Sequence, residues 1–90
     1  MPKKYQAFDD VASKEIDGVL VLLKKGDEFI FELNDTSDYI WRLLQKPQTL
    51  EELVKAVSQH FSKTDKDEIA EDTQQLLSQL TEAELVRTLE

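Results

Sequence analysis

Ninety residues, 40% of them hydrophobic and only two each glycine and proline, are expected to fold as one domain with one modest core, because domains typically hold about 100–150 residues. Nineteen acids against eleven bases leave a net charge of −8, a field that repels phosphate backbones and anionic bilayers, so neither nucleic acid nor membrane is an expected partner. The absence of cysteine excludes disulfides, thiolate metal sites and thiol nucleophiles; with no long apolar run and no secretory signal in MPKKYQAFDD, the expected location is cytoplasmic.

In chain order, residues 1–10 read as a loose arm before a core spanning about 11–86. Residues 11–16 form a weak strand, Asp17-Gly18 is a hairpin turn signal, and 19–23 is a strand rich in Val and Leu. KKGD at 24–27 is a second turn, with Gly26 free to take a positive φ. The third strand, 28–33, alternates: Phe29, Phe31 and Leu33 lie on one face, Glu28, Ile30 and Glu32 on the other. A strand this apolar must be paired on both edges or defended on the free one, which raises the question of what its free edge does.

Three helices follow. Asn34 or Asp35 caps the first, whose apolar face is Ile40, Leu43 and Leu44 with Trp41 beside it, and Pro47 ends that region. The second opens on the capping box TLEE, in which the Thr49 hydroxyl serves the Glu52 amide and the Glu52 carboxylate reaches back. Its stripe is Leu50, Leu53, Val54, Val57 and Phe61. The third starts near Thr64 or Asp65 with acids in its first turn, which suits the helix dipole, and carries the stripe Ile69, Thr73, Leu76, Leu77, Leu80 and Ala83. ELV at 84–86 packs back on the core. The expected fold class is α+β and winged-helix-like: a three-stranded antiparallel sheet followed by three helices.

Catalysis has little to stand on. His60 is the only histidine, and no nucleophile or second ligand is spaced to use it, so it reads as structural or exposed. The acids Asp9-Asp10, Asp65 to Glu68 and Glu71-Asp72 lack the glycine and spacing of a calcium loop and read as solvated caps. The two glycines sit in separate turns, so no phosphate-cradling loop exists. No cofactor or metal site is expected, and the chain reads as a non-enzyme. A DNA-reading winged helix fails on charge, since residues 64–83 hold six acids and one base.

The ordered set Leu33-Asn34, Ile40-Trp41, Leu43-Leu44, TLEELV at 49–54, Phe61, Asp72 and Leu85-Val86 resembles the PqqD-like family of peptide-recognition domains, the RiPP recognition elements, over about residues 11–86. Two departures stand out. The family often has Gly before the final Leu-Val, where this chain has Glu84, so a different exit from the third helix is expected. The form used in pyrroloquinoline quinone synthesis usually carries Pro-Glu-Gly before the third strand and no Trp at the position of Trp41. This chain has KKGDEF and the Trp, and looks closer to stand-alone leader binders of the lasso-peptide type.

The resemblance implies a non-catalytic adaptor. A leader peptide adds as a further strand to the third strand and lies in the groove beside the third helix. The partners are that precursor leader and a downstream protease, cyclase or radical enzyme. The expected peptide-binding residues are Glu28, Phe29, Ile30, Phe31 and Glu32 from the strand and Ile69, Asp72, Thr73 and Leu76 from the helix. Glu68 and Asp72 would select basic or hydroxyl-bearing leader residues; a second reading has Asp72 fixing the fold through a buried hydrogen bond. The physics of edges agrees, because unpaired backbone groups recruit a chain, neighbouring sockets choose which, and edge acids limit self-association. Ile30→Glu is expected to weaken leader binding without unfolding the domain. The rival reading is a structural docking module of a larger enzyme that binds no peptide strand.

Overall fold

The computed structural model describes residues 3–24, 30–62 and 65–89, with Ile30 described by its backbone alone. Asp17 and Gly18 both take positive φ, 53° and 82°, the geometry that closes a tight hairpin between β2 (Val11–Ile16) and β3 (Val19–Lys24). β4 (Ile30–Leu33) pairs antiparallel with the other side of β3, giving a sheet of order β2-β3-β4. In register, Leu20 faces Leu33 and Leu22 faces Phe31, so the four apolar side chains share one face, with Leu22 and Leu33 buried. This is the sheet expected from the sequence; Glu28, Phe29 and the turn at 25–27 lie outside the described residues.

A second sheet was not expected. Residues 4–7, placed in a loose arm by their sequence, form β1 (Lys4–Ala7), which pairs antiparallel with β6 (Val86–Leu89) on one side and β5 (Gln48–Thr49) on the other. Tyr5 and Ala7 point inward and are only 8% and 5% exposed. Burial of Tyr5 and Ala7 and the pairing with β6 order a segment too short to declare itself locally. The Ala7 amide also donates to the Leu44 carbonyl at 2.8 Å, and that of Phe8 to the Leu85 carbonyl at 3.1 Å.

The helices are α1 (Asp35–Leu43), α2 (Leu50–His60) and α3 (Lys66–Glu82). Their starts are the expected ones. The Asn34 side chain accepts from the Ser37 amide at 2.8 Å, and Asp65 does the same for Glu68 at 3.1 Å. In the capping box, Thr49 donates its amide to Glu52 at 2.8 Å and its hydroxyl oxygen accepts from the Glu52 amide at 3.1 Å. Trp41 is buried while Leu43 is only half-buried, so the indole sits in the α1 contact rather than beside it. Ile40, Leu44, Leu53, Val57, Leu77, Leu80, Leu85 and Val86 complete a core that joins both sheets to the helices.

The exit from α3 turns at Glu84. Glu84 takes a φ of 59°, the left-handed conformation that favours glycine. The Leu85 amide donates to Leu80 O at 2.9 Å and the Glu84 amide to Thr81 O at 3.0 Å, the hydrogen-bond pair of a Schellman ending. Lys24 braces it, donating to the Glu84 carbonyl at 2.8 Å while lying over the Phe8 ring. The architecture is α+β, compatible with a winged-helix-like shape, and no helix among the described residues is long and apolar enough to cross a membrane.

Candidate functional site

β4 has β3 on one side and no strand on the other among the described residues. Its row of backbone donors and acceptors on that side is a template for another chain. β4 passes into α1 with Asn34 as the only residue between, so the first turn of α1 stands at the end of this edge.

There a cleft of about 340 Å3 opens between α1 and α3. Its floor is apolar and buried, formed by Ile40, Val57 and Ile69, with Thr73 only 2% exposed among them. Half-buried Leu76 forms part of the wall. Asn34, Thr36, Ser37, Asp72, Gln75 and Gln79 make the rim polar. Such a socket takes a side chain with an apolar body and a polar or cationic tip, since the body is desolvated while the tip still finds hydrogen-bond partners. Glu68 and Glu71 stand on α3 beside Asp72, all three exposed, which makes this wall acidic.

Four of the expected site residues meet here: Ile69, Asp72, Thr73 and Leu76 all line the cleft. Asp72 is exposed, which removes the reading in which it holds the fold through a buried hydrogen bond. Phe31 does not line the cleft; it packs half-buried against the core from the inner face of β4. Glu32 is exposed and, opposite Val21, points away from the helices. Ile30 contributes its backbone to the ladder with Leu23. Glu28 and Phe29 lie outside the described residues.

Sequence reasoning missed the rest of the rim and floor. Gln75 and Gln79 sit three and seven residues after Asp72, on the same helical face, so the spacing that found Leu76 also marks them. Thr36, Ser37 and Ile40 follow from the absence of a linker after β4. Val57 carries no such signal, because its place under the cleft depends on how α2 crosses α3.

A second cleft, lined by Asp38, Tyr39, Arg42, His60 and Phe61 among others, lies on the other side of α1. There exposed His60 stacks on Tyr39, centroids 3.9 Å apart and planes at 11°. The Arg42 guanidinium, already high, is raised further by its 2.6 Å hydrogen bond to Asp38.

Residues 19–86 match the family described as Coenzyme PQQ synthesis protein D (PqqD). The chain belongs to the PqqD family. It is a PqqD-like RiPP recognition element. No curated protein matches its sequence. Among solved structures, this PqqD-family chain is similar to one described as TbiB1 in complex with the TbiA(beta) leader peptide, with 30% identity and a TM-score of 0.77 over 91% of this chain and 94% of that one.

Proposed function

We propose that the chain is a non-catalytic adaptor, a stand-alone leader binder, which holds the leader of a ribosomally made precursor peptide by strand addition to β4 and presents it to a separate protease, cyclase or radical enzyme. The observation that carries this reading is the cleft of about 340 Å3 at the end of a β4 edge that has no partner strand among the described residues. Backbone pairing supplies attraction that is indifferent to sequence, and the socket supplies choice. A leader antiparallel to β4 runs from the Leu33 end, where the cleft lies, towards the Ile30 end, so the segment to be modified leaves past the β3–β4 connection. The neighbour of 30% identity is in complex with a leader peptide, which supports leader binding here.

Ordering a free leader costs about 2–5 kcal/mol, and a micromolar to nanomolar complex needs a net of about −8 to −12 kcal/mol. A strand ladder with two or three filled sockets is of that order. The test is a titration of isotope-labelled protein with a synthetic leader of the precursor encoded beside it. Amide shifts concentrated in 30–37 and 69–79, saturating at micromolar concentration, are the expected result. Shifts confined to the outer side of α2 and α3, or none, would remove strand addition and leave a docking module.

A further inference from the structure

The outer face of the hairpin sheet is unlike the rest of the surface. Core and outer residues alternate along β3, so with Leu20 and Leu22 turned inward, Val19, Val21 and Leu23 turn outward. Their cross-strand neighbours Ile16, Lys14 and Ala12 on β2, and Glu32 opposite Val21 on β4, share that face. Ile16 is 49% exposed, Val19 38% and Leu23 42%, the large exposed hydrophobic side chains among the described residues. On a chain of net charge −8, this face carries one base and one acid among its described residues and is locally neutral.

We infer that this face is the contact between two copies of the chain, packed face to face about a two-fold axis parallel to β3. The register decides the occupant and the axis. Lys14, Val21 and Glu32 stand in one row across the sheet, base and acid on opposite sides of an apolar centre. Rotation about an axis along β3 keeps each residue at its level while laying β2 of one copy over β4 of the other. The Val19, Val21, Leu23 stripe then meets itself, and each Lys14 lies over Glu32 of the second copy, twice by symmetry. Packed sheets stand about 10 Å apart, a gap that a lysine and a glutamate side chain together bridge. An in-plane axis perpendicular to the strands sets Lys14 on Lys14 and Glu32 on Glu32 instead, so charge selects the first axis.

Three short strands bury less than the ~1,200 Å2 of a stable complex, so the pair is weak and reversible. Because the faces pack and the edges do not pair, the dimer leaves the outer edge of β4 uncovered. Each copy therefore remains able to take a strand there.

Sedimentation of the full chain tests this. The expected mass rises from 10.4 kDa towards twice that value as concentration climbs through the high-micromolar range. Leu23→Glu, which stacks like charges on the two-fold axis, is expected to hold it at one chain. Lys14→Glu lowers association about tenfold, and adding Glu32→Lys restores it to within about twofold, since both pairs are re-formed with reversed sign. A single-chain mass at every concentration overturns the proposal, whether or not another protein is later found on this face. So does a dimer that the double exchange fails to restore. Leader stoichiometry, read separately as one per chain, stays the same in either case and judges only the adaptor reading.

Discussion

The hairpin sheet has two edges without a partner strand among the described residues, and they are not equivalent. β2 is the longer, six residues against four, and five of its six side chains are exposed. Beside it lies a space of about 200 Å3, lined by Ser13, Leu20, Trp41, Arg42 and Gln45, with the indole already buried in the core. β4 is shorter, but it ends at a cleft with an apolar floor and a polar rim. Unpaired backbone makes an edge adhesive; a socket at its end makes it selective.

The two edges share β3, and damage there is the widest way to break the comparison. Leu22 is fully buried in that strand. Leu22→Ala is expected to cost about 2–5 kcal/mol in chemical denaturation, with both edges losing amide-exchange protection together. Loss at one edge alone would mean that the strands are held by different cores.

Next in size is a change at one edge only. Leu76→Glu puts a charge on the cleft wall and is expected to weaken leader binding by about thirtyfold, a hot-spot loss of ~2 kcal/mol, in calorimetric titration. Ser13→Glu on β2 should leave the affinity within about twofold, because a surface change away from a contact is nearly neutral. Equal losses would show the leader using the wrong edge or both.

How much of this was legible in the sequence depends on whether the signal was local. Asp17-Gly18, the Thr49–Glu52 box and the stripe through Ile69, Thr73 and Leu77 are written in neighbouring residues, and the structure follows them. β1 is not: Lys4–Ala7 becomes a strand by pairing with residues 86–89 at the far end of the chain. Glu84 shows a third case. A residue that departs from the family's glycine still adopts the glycine conformation, because the Schellman hydrogen bonds and the Lys24 contacts hold it there. For the cleft, the α3 wall was readable from helical spacing, whereas the α1 rim and Val57 needed the crossing of elements to be known.

A control of about 1 kcal/mol sharpens the comparison by loosening neither edge directly. Thr49→Ala removes the N-cap of α2 and should lower Tm by about 4–8 °C, with leader affinity unchanged while the protein is folded. Glu52 gives the matching pH dependence. Its carboxyl is held below the ordinary carboxylate range, first by the Thr49 amide and then by the Thr49 hydroxyl. The folded state therefore binds that proton more weakly than the unfolded state. The contribution is in place above the ordinary carboxylate range and is lost as pH falls through the lowered value. Melting curves of wild type and Glu52→Gln should accordingly differ at neutral pH and draw together in acid.

The smallest expected effect separates the two kinds of tip the socket admits. Asp72 stands exposed on the rim, beside Glu68 and Glu71 on the same helix. If the leader presents a cation there, Asp72→Asn removes an exposed ion pair, and affinity should fall about three- to fivefold at low salt, a loss of less than ~1 kcal/mol. That loss should fade as the Debye length shrinks to about 3 Å in molar salt. If the leader presents a hydroxyl, the asparagine oxygen still accepts its hydrogen bond, and the change should be small and insensitive to salt. Affinity measured for both proteins across a salt series tells the two apart. A salt-sensitive loss would assign the acidic wall of the cleft a part in selecting a cationic leader side chain.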